Sequence, residues 1–284
     1  MKSLAEQSQR TDRLRSVRRI SLFAIAALCA VPCALHAADA DSSAGDSLDR
    51  FRRSLWAEPI YLEFDLRQMP RRGDEHVFHG RLWGARNDQG PVTRVEVDVG
   101  AGGFTRHLLI QSGPEAAVWV SEAAGAGRRD DHAPLAPGLE FTPFDVQMPY
   151  LYWLDFTVAG TGRIRGRPAI NYVFTPPADF AAANPGVRAV RAYLDAQYGA
   201  LVQSEVTGRD GNLAKTLSLL ELRKVGDRWI PKDVDVRNEV TRDKTRLSVT
   251  AVSTGIAVDS SAFDPERIGN PLFPPPLERI KRVN

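Results

Sequence analysis

Period-two alternation constrains the fold of this chain more than any other feature. In Asp233–Val240, Val234, Val236 and Val240 alternate with Asp233, Asp235, Arg237 and Glu239. "YLEFDLR" sets Leu62, Phe64 and Leu66 against Tyr61, Glu63, Asp65 and Arg67, and "TRVEVDV" sets Val95, Val97 and Val99 against Arg94, Glu96 and Asp98. Neighbours in a strand point to opposite faces, so each stretch predicts a strand with one apolar and one polar side. Further strands are predicted near 76–85, 105–111, 116–121, 154–160, 168–174, 187–195, 199–207, 213–224, 229–240 and 244–254. The turn signals "NDQG" (87–90), "GAGG" (100–103), "GRDG" (208–211) and "VGDR" (225–228) join many of them. Short turns mean an antiparallel meander, and a sheet with one apolar face must cover that face.

The chain of 284 residues, 43% hydrophobic and 25% charged, is long enough for a sizeable core. Its first forty residues read differently. Arg10, Arg13, Arg15, Arg18 and Arg19 precede the apolar run Ile20–Leu35, and the small-residue site "ADA" (38–40) follows. This is the pattern of a cleavable secretory signal, and the run is short for a bilayer span. Arg18-Arg19 lacks the flanks of a twin-arginine signal, and Leu28 and Pro32 before the cysteines do not form a lipobox. A periplasmic location is expected. Cys29 and Cys33 both lie inside the signal, so the exported chain would hold no disulfide or thiolate site. Removing the six basic and three acidic residues of 1–40 from the totals of 37 and 35 leaves 31 against 32, which gives no electrostatic footprint for a nucleic-acid partner.

Asp41–Ser47, "DSSAGDS", reads as a flexible linker, followed by a short helix carrying Leu48, Phe51, Leu55 and Trp56, capped by Asp46 or Ser47 and stopped by Pro59. Two regions break the strand pattern. Ala123–Gly138 is rich in Gly, Ala, Pro and charge, which predicts a mobile loop, and it leads into the aromatic block Leu139–Phe156. The tail from Gly269, "GNPLFPPPLERIKRVN", is Pro-rich and basic, and is expected to be extended and weakly ordered.

"AVWVSE" (117–122), a polar loop and "EFTPFDV" (140–146), then a run of hairpins containing Gly226-Asp227-Arg228-Trp229-Ile230-Pro231, resemble the outer-membrane lipoprotein-sorting protein family over about 60–268. The fold of that family is like the periplasmic lipoprotein carriers LolA and LolB. The resemblance implies a mainly β fold, an incomplete and strongly curved antiparallel barrel with a helix or loop plug over a concave apolar face that holds acyl chains. With the signal pattern, the helix and the tail read above, the chain divides into four segments: a signal peptide (1–40), a linker and short helix (41–58), the half-barrel of the resemblance (59–268) and the tail (269–284). The residues then expected to line the cavity are Leu62, Phe64, Leu66, Leu82, Val95, Val97, Trp119, Phe141, Phe144, Tyr150, Val234 and Val236, with Asp65, Asp98 and Arg237 facing water. The implied partners are lipid or lipoprotein acyl chains, with an inner-membrane exporter or an outer-membrane acceptor as donor or recipient.

The residues themselves offer little catalytic chemistry. The chain contains no G-x-S-x-G, H-E-x-x-H, P-loop or dinucleotide-binding glycine pattern, and no cofactor or enzymatic activity is expected. His76 and His79 stand at odd separation in one strand, His107 is isolated, and His132 in "RRDDH" reads as a solvated loop tip. The acids Glu63, Asp65, Glu96, Asp98, Asp233, Asp235 and Glu239 read as the solvent face of their strands. Three functional classes follow: a carrier or chaperone for acyl chains, a regulatory module of the same fold that docks on a membrane protein, and an exported hydrolase, which the missing nucleophile–base pattern disfavours. Intact mass of the exported protein should correspond to a chain beginning near Asp41, without a lipid adduct.

Overall fold

The computed structural model describes residues 33–99, 105–122, 125–128, 133–195 and 197–283. The basic part of the expected signal, its apolar run up to residue 32, and His132 lie outside them. Residues 40–284 form one compact unit, and residues 1–39 fall in a separate one of which only the end is described, as the beginning of a helix.

Alternation delivers the strands. The N-terminal half supplies β1 (Ile60–Met69), β2 (His76–Asn87), β3 (Gly90–Asp98), β4 (Thr105–Gln111), β5 (Ala117–Glu122) and β6 (Gly125–Arg128). The C-terminal half supplies β7 (Phe156–Ile164), β8 (Arg167–Phe174), β9 (Ala189–Asp195), β10 (Leu201–Thr207), β11 (Leu213–Val225), β12 (Arg228–Asn238) and β13 (Lys244–Thr254). Each half is an antiparallel meander. β1 pairs with β13, which fuses them into one curved, open sheet of order β6-β5-β4-β3-β2-β1-β13-β12-β11-β10-β9-β8-β7. Within it Gly80 of β2 lies opposite Phe64, where a Cβ would come within 2.4 Å of the ring; glycine there leaves the aromatic room to lie across the strand.

The helix before the sheet, α1 (Cys33–Ser54), takes in Asp41–Ser47, the stretch expected to be flexible, and starts well before Asp46. Ala44, Leu48 and Phe51 make one buried stripe at helical spacing, and packing of that stripe outweighs the weak local propensity of "DSSAGDS". Arg86 closes its C-terminal end by donating to the carbonyls of Arg52 and Leu55. The Gly/Ala-rich region expected to be a loop contains β6, because small residues still supply the backbone groups that pair with β5. Val240 is not on an apolar face: β12 ends at Asn238, and Val240 sits exposed in the following turn. A short helix that alternation did not announce, α3 (Ala178–Ala183), follows β8.

The tail also departs from expectation. Residues 256–283 wrap the outer face of β1–β5. Ile256, Val258, Phe263, Leu272 and Ile280 pack on Tyr61 and Trp83, and Ile268 packs on Val92 and Leu109. A final strand, β14 (Lys281–Arg282), pairs with Ala251 and Val252 of β13, beyond the point where β12 leaves that strand. Lys232 donates to the carbonyls of Val249 and Val283 and secures the junction. The strap buries both faces of β3. Arg94 and Glu96, expected to face water, are therefore interior; Arg94 is 1% exposed. Its guanidinium donates to the carbonyls of Ala262, Arg267 and Asn270, and lies 3.5 Å from Glu96. Burial pulls its pKa down, while the Glu96 carboxylate works against that shift. Arg94→Ala removes three strap anchors and takes the guanidinium from the buried Glu96, leaving it His107 at 3.3 Å, so it should destabilise the protein by about 3 kcal/mol or more in urea unfolding.

Candidate functional site

The apolar face of the sheet is its concave face. The topology dictates what covers it: β6 and β7 are the opposite edges of the sheet, yet they are neighbours in sequence. The segment between them runs from edge to edge across the open side. Leu135, Ala136, Leu139 and Phe141 enter one apolar cluster, and Phe144, Tyr150, Leu151 and Trp153 enter a second. The first cluster lies on β1–β5 and β11–β13, and the second on β8–β10 beneath α1.

The plug folds through its own sequence signals. Thr142-Pro143-Phe144-Asp145 has capping-box spacing and starts α2 (Pro143–Gln147), with the Thr142 amide and hydroxyl both donating to the Asp145 carboxylate at 2.8 Å. Met148 takes a left-handed conformation (φ 48°) that ends the helix, and Pro149–Tyr152 follow as a 3₁₀ turn.

A few polar contacts hold it to the sheet. Lys215 of β11 reaches Asp145 at 2.5 Å in a largely buried ion pair. Gln147 donates to the carbonyls of Gln111 and Ala117, fastening α2 to β4 and β5. The Glu140 amide donates to the Thr245 hydroxyl at 2.7 Å, and burial raises the Glu140 carboxyl above its ordinary range. α1 is fastened separately: Tyr172 donates to the Ala44 carbonyl at 2.7 Å, and burial pushes the Tyr172 hydroxyl up to about 12.

The expected cavity residues divide among three environments. Leu62, Phe64, Leu66, Leu82, Val95, Val97, Phe141 and Val236 come together in the first cluster, with Val234 packed at its margin. Phe144 and Tyr150 belong to the second, against Phe174 and Phe180. Trp119 lies on the outer face, beside Val92, Leu109 and Ile268 under the strap. Its partner strand explains the placement: Trp119 faces Leu109, whereas Val118 and Val120 point inward beside Leu108 and Ile110. Of the residues expected in water, Asp98 and Arg237 are exposed and Asp65 is half-buried beside His79 at 2.7 Å. Asp233 and Asp235 pair across strands, with Ser248 and with Arg246 and Lys244.

Two open clefts accompany the filled concave face. One, of about 420 Å³, is polar and lies between Glu63, His79, Arg81, Glu96, Asp98 and Arg282. The other, of about 230 Å³, lies between α1 and the β9–β10 turn, with Phe51, Ile170 and Leu194 as floor and Arg50, Gln197 and Tyr198 at its rim. Among the described residues, no group of three or more His, Cys, Asp or Glu is placed to hold a metal, and no helix is long and apolar enough to cross a membrane. Sequence reasoning missed Lys215, Gln147 and Arg94. The capping-box spacing at Thr142–Asp145 was legible, but the partners of these residues come from distant strands. Lys215→Met leaves the Asp145 carboxylate buried without its cation. It should cost about 3 kcal/mol and speed amide exchange over 142–148.

Comparison with known proteins bears on the fold. A family model described as "Uncharacterized protein" matches residues 138–270. No curated protein matches the chain. A domain described as an outer membrane lipoprotein-sorting protein from Vibrio parahaemolyticus superposes with a TM-score of 0.67 at 17% identity, covering 78% of this chain and 95% of that one. A DUF1329 family protein from Desulfovibrio piger gives 0.66 at 12%, covering 80% and 98%. A LolA superfamily protein from Nitrosomonas europaea gives 0.61 at 11%, covering 78% and 96%. At these identities the likeness is one of architecture, and on it this chain has a LolA-like fold.

Proposed function

We propose that the protein is a periplasmic carrier or chaperone that takes lipid or lipoprotein acyl chains onto its concave face. One observation carries the reading. A broad apolar surface, from Phe64 and Val97 to Val236, is covered by one connecting segment rather than by a second sheet. Asp145–Lys215, Gln147, the Glu140 amide on Thr245, and Arg106 and Arg52 on the Pro134 and Leu151 carbonyls are polar ties of that segment, and between them its hold is apolar contact that an acyl chain can replace. The LolA-like fold and the description of the Vibrio domain as a lipoprotein-sorting protein support the same reading. The sequence features of an exported protein support a periplasmic location, where such cargo would cross between membranes. Leu62, Phe64, Leu66, Leu82, Val95, Val97, Val234 and Val236 would form the floor, with Phe141, Phe144 and Tyr150 displaced or repacked at the lid. Trp119, on the outer face, would take no part.

Native mass spectrometry of protein purified without detergent should detect bound acyl species. Phe141→Ala, which removes plug bulk from the first cluster, should strengthen binding of a fluorescent fatty acid severalfold while lowering stability by about 3 kcal/mol. Phe64→Asp, in a preparation shown to be folded, should abolish binding, because an ionised carboxylate in an apolar site is costly. Asp65→Ala should leave binding and folding nearly unchanged. Unaltered titrations for both Phe141→Ala and Phe64→Asp would place the ligand elsewhere or remove it from the reading.

A further inference from the structure

Two large aromatic side chains stand out of the surface at one end of the sheet. Tyr198, in the β9–β10 turn, is 47% exposed, and Trp229, beside the β11–β12 turn, is 52% exposed. Their rings meet edge to face with centroids 5.9 Å apart. Hydrogen bonds tie down Gln197 and Tyr198 in this turn: the buried Asp195 carboxylate accepts their amides at 2.8 and 2.9 Å. Arg167 pairs with Asp195 and stacks over the Tyr198 ring at 5.4 Å. The pair is held in place, yet its outer surfaces cover nothing.

The charges around the pair lean one way. Lys224 lies directly across the ladder from Trp229, and Arg50 shares the smaller cleft with Tyr198. Neither cation has a carboxylate partner among the described residues. The neighbouring Arg167, Arg223 and Arg228 are neutralised by Asp195, Glu221 and Glu58. Asp227 at the hairpin tip and Asp46, one turn before Arg50 on α1, are the opposing acids, and the exposed Arg53 adds a third cation. Exposed Trp and Tyr with flanking Lys and Arg are the side chains that settle at a membrane–water boundary, with rings at headgroup depth and cations on lipid phosphates.

We infer that the Tyr198–Trp229 tip docks the protein on an anionic bilayer surface and brings the cleft between α1 and the β9–β10 turn to the lipid. This goes beyond the carrier reading and does not depend on it, since docking requires no ligand on the concave face.

The test is co-sedimentation of the full chain with phosphatidylcholine vesicles, with and without phosphatidylglycerol, while following tryptophan emission. Trp83 and Trp153 are buried and Trp56 and Trp119 are partly buried, so Trp229 is the one exposed tryptophan among the described residues, and the part of a blue shift that Trp229→Ser removes reports on it. Binding should require phosphatidylglycerol, fall with added salt, and weaken about tenfold or more in Lys224→Glu, because each cation near an anionic surface contributes about 1 kcal/mol. Trp229→Ser should lose both the binding and the blue shift, with an unchanged thermal midpoint as the folding control. Failure to bind either vesicle, equal binding to both, or undiminished binding by Trp229→Ser would overturn the proposal. Fatty-acid titration in solution stays independent of these outcomes, so a failed docking test leaves the carrier reading standing, and the reverse.

Discussion

The joining of β1 to β13 sets the rest of the architecture. Two meanders fused at that seam make a single sheet whose free edges, β6 and β7, are consecutive in the chain. The linking segment therefore has to travel the full width of the sheet, and the apolar face lies along its path. A sandwich covers its face with a second sheet and a closed barrel covers it with itself. Here a short, aromatic-rich connection does so, assisted by α1 over β8–β10. The cover has its own fold signals and few polar ties, and these properties make exchange for another apolar partner physically reasonable.

The outer face obeys a different logic. Over much of β1–β5 it is covered by the C-terminal strap, which leaves the polar cleft beside Glu63 and Arg282 open, and Arg94 turns a strand position that should be solvated into an internal anchor. A guanidinium suits this role because its several donors meet several carbonyls at once. Further round the sheet, the outer face is open and carries cross-strand pairs such as Asp235 with Arg246. Burial works to raise the Asp235 carboxyl, and the Arg246 bond together with the Arg246 and Lys244 charges overcomes it, leaving the pKa below its ordinary value. The stability this pair contributes is present above the ordinary Asp pKa and is lost as pH falls below it through the depressed pKa of the folded state.

The strap also resolves a problem inside the sheet. β12 and β13 separate beyond Asp233 and Ser248, which would leave β13 with unpaired backbone groups. β14 occupies the gap, and the Val283 amide donates to the Thr250 carbonyl. Pairing is worth more there than in an isolated two-residue strand, because Val283 reaches the core at the same time.

Alternation and turn signals determined β1–β5 and β7–β13, their antiparallel order within each half, and which residues of β1, β3 and β12 belong to the apolar face; β6 and β14 were not legible in this way. Leu62, Phe64, Leu66, Val95, Val97 and Val236 were legible in this way because side-chain direction in a strand is a local, period-two property. Three kinds of feature were decided only by tertiary structure. A period says that a face is apolar but not what lies on the other one, so the burial of Arg94 and Glu96 followed from a strap more than 160 residues away in sequence. Composition marked "DSSAGDS" and the Pro-rich tail as poorly ordered, whereas long-range packing of Leu48, Ile268 and Val283 gave both a fixed place. Trp119 was assigned to the cavity by its type and went to the outer face by its register with Leu109. Local chemistry fixes the direction of each side chain, and only the paths of distant segments fix what each side chain meets.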